Sequence, residues 1–111
     1  MYTYEAMVLR VVDGDTYDVN IDLGFSIWKK ERIRLYGVDT PETWRPSCDM
    51  EKEHGEWATA AIKELIEGKM VTIISHKKDK YGRYLCDVRI ENNDVALFIV
   101  DNYLSKHDYY M

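Results

Sequence analysis

Three short stretches carry the residue types that chemistry on a phosphate needs. Asp13-Gly14-Asp15 sets two carboxylates around a glycine. Arg34-Leu35-Tyr36-Gly37-Val38-Asp39-Thr40-Pro41-Glu42-Thr43 ends an alternating run in a cation and follows it with two acids. Asp79-Lys80-Tyr81-Gly82-Arg83 adds a further arginine beside an aromatic ring. Two close carboxylates and a backbone carbonyl make a seat for an oxygen-loving cation such as calcium or magnesium. A carboxylate not spent on the metal can take a proton from water. Two arginines can neutralise the charge that builds on a phosphorus centre under attack. Asp15, Asp39, Glu42, Arg34 and Arg83 together supply each part of metal-assisted phosphodiester cleavage. Taken singly, each stretch also reads as an ordinary charged surface turn.

These stretches act together only if the fold collects them. Ile33 and Leu35 alternate with Arg32, Arg34 and Tyr36, the two-residue period of a half-buried strand. Arg34 then projects opposite the apolar pair. Gly37 loosens the backbone, and Pro41 keeps Thr40 extended and stops the strand. A first strand is predicted over Tyr4 to Val12 and a second over Thr16 to Leu23, with Tyr17, Val19, Ile21 and Leu23 facing one way. A third, bent strand is expected over Phe25 to Val38, its Lys29-Lys30-Glu31 portion exposed. Trp44 to Glu53 reads as a polar loop.

A helix is expected from about Lys52 to Glu67, with Trp57, Ala58, Ala61, Ile62, Leu65 and Ile66 at helical spacing and Gly68 as its C-terminal cap. Strands over Lys69 to His76 and Tyr84 to Ile90 follow, the latter with Tyr84, Cys86, Val88 and Ile90 on one face. Asn92-Asn93-Asp94 reads as a turn, and a short helix follows over Val95 to Leu104. Five short strands with a helix between the third and fourth are the pattern of an OB-type Greek-key barrel in a mainly β, α+β domain.

At 111 residues and 46% hydrophobic content the chain is expected to form a single domain, residues 1–111. No apolar run approaches a membrane span, so no membrane partner is expected. Met1 to Glu5 carries no signal-like start. Cys48 and Cys86 lack metal-ligand spacing, and a reducing, cytoplasmic setting is expected, with a monomer as default. The net charge of −5 argues against a passive coat for nucleic acid, whose affinity comes from neutralising many phosphates. It leaves room for an enzyme that handles one or two phosphates with a few placed arginines.

His54, His76 and His107 fit no nucleophile or zinc arrangement and read as surface residues. Trp44 and Tyr81 lie beside basic residues and suit stacking on bases, whereas Trp28 and Trp57 read as packing residues. Asp18 to Gly24 mimics a calcium loop, but its glycine falls one place late and Lys29 stands where a bidentate glutamate is needed.

The three charged stretches, in this order and with these separations, resemble the staphylococcal nuclease (thermonuclease) family, over about Val8 to Leu104. The resemblance implies a five-stranded OB barrel that cuts DNA and RNA with calcium. By the same resemblance, Asp15 and Asp39 ligate calcium through carboxylates and Thr40 through its carbonyl. Glu42 is the general base, Arg34 and Arg83 hold the phosphate, and Asp13 is an acid near the metal. Lys80, Tyr81 and Tyr109 contact the substrate. Cleavage would break the bond to the 5′ oxygen and leave 3′-phosphate ends. Family nucleases are typically basic and carry a further helix after the region of Tyr109; this sequence is acidic, and that helix is not expected within it. The alternative is a non-catalytic OB-type module that binds nucleic acid or protein.

Overall fold

The computed structural model describes residues 2–37, 49–78 and 80–101. Its elements are β1 (Tyr2–Asp13), β2 (Thr16–Asp22), β3 (Trp28–Leu35), α1 (Asp49–Ile66), β4 (Met70–Lys78), β5 (Tyr84–Ile90), β6 (Asn93–Asp94) and α2 (Val95–Asp101). The sheet runs β3-β2-β1-β4-β5-β6, and β3 also pairs in parallel with β5 through Ile33–Tyr84, Arg34–Leu85 and Leu35–Cys86. That pairing closes β1 to β5 into the expected five-stranded barrel, mostly β with two helices.

Alternation decides which faces are filled. Tyr17, Val19 and Ile21 are buried while Asp18, Asn20 and Asp22 are not. Ile33 and Leu35 meet Cys86 and Val88 in the same core. β1 slips register twice, between Val8 and Arg10 and between Val11 and Asp13. Each slip adds local bend and twist, which a closed barrel needs at its corners. The first leaves Leu9 and Arg10 both exposed. Glu67, just past α1, accepts from the Val11 backbone N–H at 2.9 Å, tying the helix end to the second slip.

Several expectations need correction. The third strand begins at Trp28, because Gly24, Phe25 and Ser26 all adopt left-handed backbone and form a hairpin. Leu23 lies on that hairpin and is exposed, not inward. The helix starts at Asp49, three residues before the expected Lys52. Asn93 and Asp94 form a two-residue strand paired to β5 where a turn was expected. His54 is buried, because it stands one turn before Ala58 and Ile62 on the helix face that meets the core. His76 is half-buried between Tyr36 and Asp87. Trp57 is 56% exposed: it flanks the stripe and leans on His54 at a ring separation of 5.7 Å. Trp28 is 47% exposed, since β3 extends past its pairing with β5 there. His107 lies outside the described residues. No described helix is long and apolar enough to cross a membrane.

Phe25 has φ of 55° and is 99% exposed, so it pays for a left-handed backbone without packing in return. Phe25→Asn is expected to stabilise the fold by roughly 0.5–1 kcal/mol, because asparagine tolerates that region better. Urea denaturation checks this; an unchanged or lower midpoint contradicts it.

Candidate active site

The Gly14-Asp15 turn joins β1 to β2, with Asp13 paired to Thr16 across it. Both acids are buried, Asp13 at 8% exposure and Asp15 at 7%. Carboxylates so buried need partners. One oxygen of Asp15 accepts from the Thr16 hydroxyl at 3.2 Å, and the other faces Arg34 Nη2 at 3.3 Å. Thr16 and Arg34 are register partners between β2 and β3, which is why the arginine meets the turn. The Leu35 N–H donates to the Asp15 carbonyl at 2.8 Å, so the backbone of the turn is also fastened to β3.

Tyr17 supports the turn from inside, and the sequence reading placed it only as a core residue. Its hydroxyl donates to the Gly14 carbonyl. Burial, and then the nearby Asp15 charge, push its pKa well above the usual 10.0. A raised phenol stays protonated in the folded state after the unfolded one has ionised. Its contribution is therefore full below pH 10 and is lost as pH rises beyond it. Tyr17→Phe is expected to lessen the alkaline loss of stability between about pH 10 and 11. Melting curves across that range check it; parallel curves for both proteins contradict it.

Arg83 sits directly before β5, and its neighbour Tyr84 is the register partner of Ile33, the residue before Arg34. Parallel pairing thus brings the two arginines out at one end of the barrel. The Arg83 guanidinium carbon lies 5.4 Å from the Tyr81 ring centre, and Lys80 Nζ lies 5.1 Å from it. Tyr81 is 71% exposed, so the turn presents a ring flanked by two cations.

Two residues past Arg34, the Tyr36 N–H donates to the Cys86 carbonyl at 2.9 Å, and its ring stacks on His76 at 4.1 Å and 17°. His76 Nε2 lies 2.9 Å from Asp87 Oδ2. This trio fixes the end of β3, and sequence spacing alone gave no sign of it. Cys86 is buried, and that burial, helped by Asp87, raises its thiol pKa to about 12, which makes it a poor nucleophile.

The structure therefore brings Asp15, Asp13, Arg34 and Arg83 to one end of the barrel, with Lys80 and Tyr81 beside them. Asp39, Thr40, Glu42 and Tyr109 lie outside the described residues, as do Trp44 and Asp79. Among the described residues no three histidine, cysteine or carboxylate groups cluster as a metal site. The donors present are oxygens, a set that suits a hard cation and not zinc.

Comparison with known proteins gives a consistent match. A family model described as staphylococcal nuclease homologue covers residues 32–110. An uncharacterized endonuclease of Escherichia coli is 38% identical over 81 residues, spanning 73% of this chain and 45% of that protein. A thermonuclease of Staphylococcus intermedius is 38% identical over 84 residues, spanning 74% of this chain and 46% of that one. Endonuclease YncB of Bacillus subtilis is 32% identical over 103 residues, spanning 90% and 46% respectively. The chain spans about half the length of these curated relatives.

Proposed function

The chain belongs to the staphylococcal nuclease family, and from that premise we propose that it is a calcium-dependent nuclease acting on DNA, RNA or both. The observation that carries this is the buried Asp15 carboxylate held 3.3 Å from Arg34 at the barrel end, beside Arg83. The three relatives named above bear endonuclease or thermonuclease names, which supports the reading.

The buried oxygens of Asp15 fit a hard divalent cation. Asp15, Asp39 and the Thr40 carbonyl would hold it, and when bound it supplies positive charge next to the phosphorus. Glu42 takes a proton from the attacking water onto its carboxylate. The water oxygen bonds to phosphorus as the bond to the 5′ oxygen breaks. The products are a 3′-phosphate and, after the leaving oxygen gains a proton from solvent, a 5′-hydroxyl. Arg34 and Arg83 bind the non-bridging oxygens and stabilise their growing charge. Lys80, Tyr81 and Tyr109 hold the neighbouring nucleotide.

The net charge of −5, where family nucleases are typically basic, favours a second reading, a module that docks nucleic acid or protein without cutting. Denatured DNA incubated with calcium, with and without a chelator, separates the two. The nuclease reading expects cleavage that the chelator abolishes. Binding without cleavage would replace it by the module.

A further inference from the structure

β3 turns Ile33 and Leu35 into the core, and its alternate residues Trp28, Lys30, Arg32 and Arg34 face away from it. Trp28, Lys30 and Arg32 are exposed, and Arg34 is the arginine proposed above to hold the phosphate. Two residues of strand advance about 6.7 Å, so these four positions form an evenly stepped row roughly 20 Å long. The row begins at the candidate active site and ends at an open aromatic ring.

The strand beside it sets the charge. Arg32 faces Asp18 across the register, with Nε–Oδ1 at 2.7 Å and Nη2–Oδ2 at 3.1 Å. Asp18 is also the register partner of Arg10, and the Arg32 contact first, then the charges of both arginines, hold its pKa below the usual carboxylate value. Lys30 faces the neutral Asn20. At the margin, Glu31 is taken by Lys29 at 2.9 Å, and Asp22 accepts from the Gly24 N–H at 2.8 Å. A shallow groove lined by Leu9, Arg10, Asp18, Lys30, Arg32 and the Lys29-paired Glu31 follows the same line. An acidic protein has thus gathered Arg10, Lys30, Arg32 and Arg34 along one face, against Asp15, Asp18 and Asp22, the last opposite Trp28.

We propose that this row is a track for single-stranded nucleic acid, deepening the nuclease reading on which it rests. An extended strand whose scissile phosphate meets Arg34 would run along β3, with successive phosphates near Arg32 and Lys30 and an unpaired base stacked on Trp28. Regular cation spacing along one strand follows a single backbone, and a stacked terminal base requires that it be unpaired. Arg32 is shared with Asp18, which both orients its fork and competes with the phosphate. Asp18→Asn is therefore expected to tighten binding.

Fluorescence anisotropy tests this, with labelled oligothymidylates of 4, 8 and 12 nucleotides in chelator, so that nothing is cut. Affinity is expected to rise from 4 to 8 nucleotides. Trp28→Ala should weaken binding of the 8-mer about tenfold. Lys30→Gln should lower the slope of log affinity against log salt by about 0.7, the value of one single-strand phosphate contact. Both side chains are exposed, so the variants are expected to fold; matched circular dichroism spectra check that. In calcium, both variants should raise KM for the 8-mer and leave kcat unchanged. Affinities unchanged in both variants, or a 12-base-pair duplex bound as tightly as the single strand, would overturn the track. Cleavage with variant-insensitive binding keeps the nuclease and removes the track. Length-dependent, variant-sensitive binding without cleavage keeps the track and removes the nuclease.

Discussion

Glu42→Gln is expected to lower kcat by about 10²–10⁴, the usual worth of a general base. Glutamine keeps the size of the side chain and can still orient a water, but it cannot take the proton that leaves the attacking oxygen. KM should change little, because Glu42 is not assigned a contact with the ground-state phosphate. The assignment is economical in carboxylates: Asp15 is engaged by Thr16 and Arg34, which leaves it poorly suited to act as the base. Steady-state kinetics on denatured DNA at saturating calcium measure the effect. A variant with unchanged kcat would remove Glu42 from proton transfer.

Arg34→Lys is expected to cost about 10²–10³ in kcat, comparable to loss of a preorganised donor to a transition-state oxyanion. Charge is conserved, so Coulomb attraction alone would predict almost no effect. Geometry is what changes. Arg34 is half-buried, with an Nη2 contact to Asp15 at 3.3 Å, and its planar guanidinium carries five N–H donors in a fixed fork that matches two phosphate oxygens. A lysine ammonium carries fewer donors on one point and cannot keep Asp15 while gripping two phosphate oxygens. Arg83→Lys should be damaging for the same reason, and it also disturbs the contact with Tyr81. Because Arg34 touches the buried Asp15, calcium affinity should shift in its lysine variant as well. Full activity in either lysine variant would make phosphate clamping the wrong role.

The barrel was readable where burial follows a simple period. Tyr17, Val19 and Ile21 announce their strand, and Ala58, Ile62 and Ile66 their helix. What the pattern could not give is nonlocal. Closure rests on three parallel pairs between β3 and β5, about fifty residues apart in sequence, and no local propensity encodes them. The burial of Asp15 goes with its turn being fastened to β3, through the Leu35 N–H and the Arg34 guanidinium, contacts about twenty residues away that a local pattern does not anticipate. Trp28 reads as a packing residue by type, but β3 is paired there with β2 alone, beyond its pairing with β5, and the ring is exposed. His54 was legible in principle: extending the helical stripe back one turn from Ala58 reaches it. The charged stretches were found by residue type. Of them, Asp15, Arg34 and Arg83 are brought to one end of the barrel, while Asp39 and Glu42 lie outside the described residues.

Cleavage at that end of the barrel is reported most directly by the chemistry of the cut ends. Denatured DNA digested with calcium by the wild-type chain should carry 3′-phosphate and 5′-hydroxyl termini, and Asp15→Ala should yield no product under the same conditions. Products bearing 5′-phosphates, or undiminished cleavage by Asp15→Ala, would contradict it.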